Sequence, residues 1–132
     1  MLIIRNYHQQ QNPQVCNENT CFTIEIADTS TEREKWLMNR ELMSENHGML
    51  FVFSESDFHN FWMKNTIIPL DMIWINEQSE VVRILTAQPC TADPCVIYKP
   101  EILATYVLEL NTGIAKKYGI IEWDTLQLKN IQ

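Results

Sequence analysis

The chain has 132 residues, enough for one domain that buries roughly two thirds of the surface of its unfolded form. Its 10 Lys and Arg against 17 Asp and Glu give a formal charge of −7, which repels phosphate and disfavours nucleic acid as a partner. Its 3 glycines, Gly48, Gly113 and Gly119, lie too far apart for a glycine-rich phosphate cradle, which excludes Walker and dinucleotide sites.

The start, Met1-Leu2-Ile3-Ile4-Arg5, is too short in apolar residues for a signal-peptide core, and no apolar run reaches membrane-spanning length. An exported form would need a targeting segment that this chain lacks. Residues 1–20 read as an N-terminal strand and a polar loop, and residues 21–132 as a single β-rich domain. Phe22, Ile24 and Ile26 alternate with Thr23, Glu25 and Ala27, the period of a strand with one buried face. Thr29 with Glu32, and Thr31 with Glu34, have capping-box spacing, and a helix over residues 31–41 is expected to put Trp36, Arg40 and Met43 on one stripe. Gly48 then turns the chain into an extended half, with strands expected at 49–53, 58–63, 70–76, 81–86, 103–110 and 125–128. The polar connection 76–80 makes a hairpin of its flanking strands. A short helix begins at Asn111 as N-cap and ends at Gly119 as C′. The fold class is therefore mainly β (α+β): a compact β-sandwich, jelly-roll-like, or a partly closed barrel, decorated by two short helices.

Cys16 with Cys21, and Cys90 with Cys95, each enclose four turn-forming residues. This spacing favours two local disulfides over free thiols or a shared metal ion, since opposed residues beside a hairpin turn lie near bridging distance and structural zinc prefers two-residue spacers. A loop this short gains roughly 2 kcal/mol by chain entropy. Disulfides imply an oxidising, extracytoplasmic setting, periplasmic, secreted or anchored; free thiols would leave the cytoplasm as the alternative.

The stretch 58–80 carries charge among apolar residues. Leu70, Met72 and Trp74 lie on one side of a strand and Ile73 and Ile75 on the other, as in a strand covered on both faces, and Asp71 shares the isoleucine side. A carboxylate there must be hydrogen-bonded, paired or protonated. Lys64 is a candidate partner, with Asn65 and Thr66 as further donors. Glu109 repeats the anomaly in line with Leu103, Thr105 and Val107. Arg40, Lys64, Asn65, Asp71 and Glu109 are thus candidates for one polar cluster, either a site or a buried ion network that only holds the fold. Trp62 and Trp74 read as core aromatics or as a pocket wall. His47 is a turn residue or a base. No His pair has metal-ligand spacing, no Gly-x-Ser-x-Gly occurs, and no cofactor is indicated.

In order, Phe22 to Ala27, Leu37-Met38-Asn39-Arg40, Gly48 to Phe53, Phe61-Trp62-Met63-Lys64-Asn65-Thr66 through Pro69-Leu70-Asp71-Met72, and Tyr106-Val107-Leu108-Glu109-Leu110 resemble the domain-of-unknown-function family 192 over about residues 21–128. The resemblance implies a small, mainly β domain of jelly-roll or barrel character, often behind a signal peptide or membrane anchor, with no established activity. Where that family usually has glycine, this chain has Trp36 and Trp123, which implies a filled or reshaped pocket at those points. The family's charged positions are kept at Arg40, Lys64, Asp71, Glu109 and Asp124.

Three functional readings follow. The first is a non-enzymatic extracytoplasmic module that binds a small ligand or a protein partner in a cleft walled by Trp62 and rimmed by Lys64, Asn65, Asp71 and Glu109. The second is a small hydrolase or lyase with Asp71 and Glu109 as acid/base pair, Lys64 or Arg40 steadying negative charge. In the third, the charged set is a structural latch in which Lys64 and Asp71 depend on each other.

Overall fold

The computed structural model describes residues 12–35 and 37–131. Trp36 and the segment before residue 12 lie outside the described residues, and with them the expectations placed there. The strands are β1 (Gln14–Cys16), β2 (Cys21–Ala27), β3 (His47–Asp57), β4 (Phe61–Trp62), β5 (Leu70–Ile75), β6 (Val81–Ala87), β7 (Ile97–Tyr98), β8 (Ala104–Asn111) and β9 (Gln127–Lys129), with helices α1 (Ser30–Lys35) and α2 (Ile114–Lys117). Seven strands form one sheet in the order β6-β5-β8-β3-β2-β1-β9, and β4 pairs with β7 in a second. Within the large sheet β2 and β3 run parallel, joined by a crossover through α1; the remaining pairs are antiparallel. The fold is mainly β, as the alternation of the sequence implies.

The large sheet curls until its two edges meet. Residues ahead of β9 bond to the start of β6: Val81 N donates to Asp124 O at 2.8 Å, Trp123 N to Val81 O at 2.6 Å and Leu126 N to Ser79 O at 2.9 Å. Inside the curl Phe22, Ile24, Leu50, Ile73, Ile75, Leu108 and Leu110 form one core, into which α2 packs Ile114 and Ala115. On the outer face Met49, Phe51, Leu70, Met72, Trp74 and Val107 form a second core, covered by Leu37, Met43, Met63 and Ile68. All six residues of β5 are buried, because this strand lies between the two cores.

Both disulfides are formed. Cys16 and Cys21 face each other across the β1–β2 turn with Cα atoms 4.1 Å apart, and Cys90 bridges to Cys95 in the loop before β7 at 5.8 Å. In the first turn Asn17 Oδ1 accepts from Asn19 N and Thr20 N, while Asn17 and Asn19 both donate to Tyr118 O just past α2.

Several local expectations are corrected. Thr29 and Glu32 do form a reciprocal capping box, at 3.1 and 3.2 Å, but α1 ends at Lys35 and not near residue 41. Leu37 and Met43 both enter the outer core, which requires the chain to turn between them, and it does so with Asn39 at φ 62°. The strand expected over 58–63 shrinks to β4, since His59 gives its carbonyl to Trp74 Nε1 at 2.8 Å instead of a neighbouring strand. Asn111 is not the cap of α2. Its amide donates to Met43 O at 2.6 Å, and Gly113, with φ 86°, starts the helix. Gly119, with φ 73°, follows the helix end as expected. Trp123 has φ 73°, a left-handed backbone that favours glycine, and its side chain is 61% exposed. The tryptophan at this position therefore adopts a backbone that favours glycine, and its side chain lines a surface pocket beside Asn17, Asn19 and Thr125.

Gly48 lies within β3 and does not form a turn. A Cβ there would come within 2.6 Å of Leu110 Cδ2 and 2.8 Å of the Glu109 carbonyl. Gly48→Ala is expected to lower stability by about 2 kcal/mol through overpacking, measured by urea unfolding with an unchanged m-value.

Candidate functional site

Strand parity divides the charged residues. Asp71 is opposite Leu110 and Met72 is opposite Glu109 on the β5–β8 ladder, so Asp71 points into the curl and Glu109 points to the outer face. The acid/base pair expected from the sequence is therefore split by the sheet itself. Inside the curl Asp71 Oδ2 accepts from Ala115 N at 3.0 Å and Oδ1 meets Thr86 Oγ1 at 3.5 Å. This carboxylate caps one first-turn donor of α2, Ala115 N, from a neighbouring strand, a structural task.

Lys64 does not reach Asp71 either. Its Nζ is 3.6 Å from Asp93 Oδ2 in the second disulfide loop and 5.2 Å from the centre of the Trp62 ring. Asn65, at φ 55°, is exposed; its N donates to Cys90 O at 2.9 Å and its O accepts from Asn39 N at 2.8 Å, so it ties three loops together. Arg40 makes a two-pronged contact to Glu25, 2.6 and 3.3 Å, and His47 Nε2 lies 3.1 Å from the same carboxylate. Asp124 accepts from Ile121 N in the turn that precedes β9. The five charged positions thus occupy four places.

The place shared by Lys64 and Glu109 is an aromatic-walled cavity. Between α1, β4 and the outer face of the sheet is a space of about 310 Å³. Phe51, Met63, Thr66 and Glu109 line its buried side, Phe53, Phe61 and Trp62 its walls, and Arg33, Glu34, Asn60 and Lys64 its mouth. Phe61 meets Phe51, Phe53 and Trp74 edge-on, with ring centres 5.0, 6.1 and 6.1 Å away. Arg33 lies 4.9 Å above Phe53, donating to the carbonyls of Asp28 and Val52.

Glu109 is 3% exposed and has no hydrogen-bond or ion partner among the described residues. Its neighbours along the row are Met49 and Met72, which offer no donor. Burial alone pushes its carboxyl up to about 8, so at neutral pH it holds a proton. Neither Lys64 nor Arg33 offsets that shift. The sequence singled out Glu109, Lys64 and Trp62 but missed Phe51, Phe53, Phe61 and Arg33 as their companions. Phe51 and Phe53 do share a face by alternation; what joins them to α1 and β4 is tertiary.

The match to known proteins covers nearly the whole chain. The sequence pattern of the domain-of-unknown-function family 192, described as an uncharacterised ACR, matches residues 13–128. A crystal structure from Sinorhizobium meliloti, described as that of a candidate transcription regulator, superposes with a TM-score of 0.80 and 33% identity over 90% of this chain and 93% of that one. A protein of unknown function from Novosphingobium aromaticivorans superposes with a TM-score of 0.78 and 32% identity, over 87% of this chain and 82% of that one. No curated protein matches.

Two measurements test the site's electrostatics. Because the folded form keeps the Glu109 proton up to about pH 8 while the unfolded chain loses it near its ordinary 4.5, stability falls as pH rises between those values, by about 1.4 kcal/mol per unit. Glu109→Gln removes this slope and is more stable than the parent at pH 8 but not at pH 4, by thermal unfolding across that range. In a double-mutant cycle of Lys64→Met and Asp71→Leu the two effects add within about 0.5 kcal/mol, as for residues without shared partners.

Proposed function

The chain belongs to the domain-of-unknown-function family 192, and on that premise we propose that it is an extracytoplasmic, non-enzymatic module that binds a small ligand in the cavity above Glu109. The observation that carries this reading is the Glu109 carboxyl: nearly fully buried, without a partner among the described residues, and lining a space walled by aromatic rings. Because Glu109 lines the cavity, a ligand there can supply the hydrogen-bond partner that the described residues do not. A volume of about 310 Å³ is at the small end of ligand pockets and suits a compact molecule with an apolar body. Lys64 and Trp62 flank the mouth, and the bridge between Cys90 and Cys95 holds the loop that carries Asp93 against Lys64.

Two disulfides favour an oxidising compartment, and no helix among the described residues is long and apolar enough to cross a membrane. Gripping DNA, which the description of the Sinorhizobium relative would suggest, is disfavoured by the net charge of −7.

A fragment screen followed by two-dimensional NMR should shift the Trp62 indole and the backbone amides of Met63 and Thr66, and Phe61→Ala should weaken the hits at least tenfold. Hits that map elsewhere, or that bind Phe61→Ala equally well, would refute the cavity as a ligand site. For the compartment, protein taken from its own host without reductant should show no alkylatable thiol and a mass about 4 Da below the reduced form, one hydrogen lost per cysteine; four reactive thiols would place it in a reducing compartment.

A further inference from the structure

The aromatic walls already hold cations of the chain itself. Arg33 stands over Phe53 and Lys64 over Trp62, at 4.9 and 5.2 Å from the ring centres. Ring faces attract cations through their quadrupole, and the attraction strengthens where water is excluded. Deeper in the same cavity, Phe51 and Phe61 line the space with the Glu109 carboxyl, which has no partner among the described residues. A carboxyl among aromatic rings is complementary to one class of small molecule more than to any other. We propose that the cavity binds a small organic cation, a primary ammonium on an apolar or aromatic body, whose N–H groups donate to Glu109 while its carbon frame packs on Phe51, Phe61 and Trp62. This rests on the reading of the cavity as a ligand site.

The charges around Glu109 fit this assignment. Along its own sheet row Met49 and Met72 are neutral, and beyond Met49 the Glu25 carboxylate is held by Arg40 and His47. From α1 come Arg33, engaged by two carbonyls, and Glu34 at the mouth; from the loop after β4 comes Lys64, drawn towards Asp93. No cation among the described residues bonds Glu109, so none of them competes with an incoming ammonium there. The chain's charge of −7 also favours the approach of a cation over that of an anion.

Proton balance gives the inference its signature. Glu109 holds its proton up to about pH 8, so an ammonium that pairs with it as a carboxylate must release that proton to solvent. The ligand keeps its own proton and no covalent bond forms.

The test is isothermal titration calorimetry of the whole chain at pH 6, 7 and 8, in buffers of differing ionisation enthalpy, with benzylammonium, benzyl alcohol and benzoate as probes. Benzylammonium should bind about tenfold more tightly at pH 7 than at pH 6, releasing close to one proton per site there and about half a proton at pH 8, where the gain levels off. Glu109→Gln should abolish both the binding and the release, and Phe61→Leu should weaken binding while keeping the release. A tetrapeptide with a single lysine, titrated alongside, tells a free amine from a protein side chain; binding of either with the same proton release supports the assignment. Benzylammonium bound without proton release, or equally by Glu109→Gln, overturns it. Binding of benzyl alcohol or benzoate with the amine excluded also overturns it, yet leaves a ligand cavity standing. Silence from every probe together with silence in the fragment screen overturns the cation and the cavity alike. The pH series on the parent chain decides the matter even if Glu109→Gln fails to fold.

Discussion

Strands β5 and β8 run between two apolar cores, and the alternation of their side chains decides which core each residue enters. Everything else in the molecule depends on that constraint. A strand covered on one face sends its polar residues to water, whereas these strands lie between the two cores. Asp71 and Glu109 therefore differ from surface carboxylates in kind: each must find its solution inside the protein.

Their solutions diverge. Asp71 meets a backbone donor at the start of α2 and a hydroxyl from β6, so its burial is compensated within the chain. Glu109 meets two methionines and a cavity, and its solution is to keep a proton. The fold could have sealed this position with an apolar residue at no cost in hydrogen bonding. That it places a carboxyl beside an aromatic-lined space sets the position apart from ordinary core, since a perturbed ionisable group in a cleft is a candidate for a site. The Arg40, Glu25 and His47 group shows the contrast. There a carboxylate in the same row, two strands away, is paired by side chains.

Much of this was readable from residues alone, and the boundary falls at a definite physical point. Alternation from Phe22 to Ile26, the two-sided pattern around Asp71, the Thr29 and Glu32 box, the spacing of the cysteine pairs and the terminal Gly119 are local signals, and each appears in the fold. Parity within one strand is local too, which is why Asp71 was assigned correctly to the isoleucine side. Parity between strands is not. Whether Glu109 is opposite Met72 or one residue along depends on a register set by the whole sheet, and a shift of one would have placed both carboxylates together. The same holds for Arg33 over Phe53 and for the early end of α1, which depend on where Leu37 must pack. Trp123 is the reverse case: the residue type argued for a filled pocket, while its left-handed backbone explains why glycine suits the position.

The seam of the curl has a consequence for assembly. β1 pairs with β9, and residues 79–81 with 123–126, so strands far apart in sequence meet and the curl cannot close until β9 is available. Such non-local pairing is slow to form, because the entropy of a large loop must be lost before any contact rewards it. The disulfides obey the opposite rule, each joining cysteines separated by five positions. Of the three ways to pair four cysteines, the observed one closes the shortest loops and needs no distant strand in place. Where thiols oxidise, both bridges can thus form correctly before β9 has paired. Covalent order then precedes topological order.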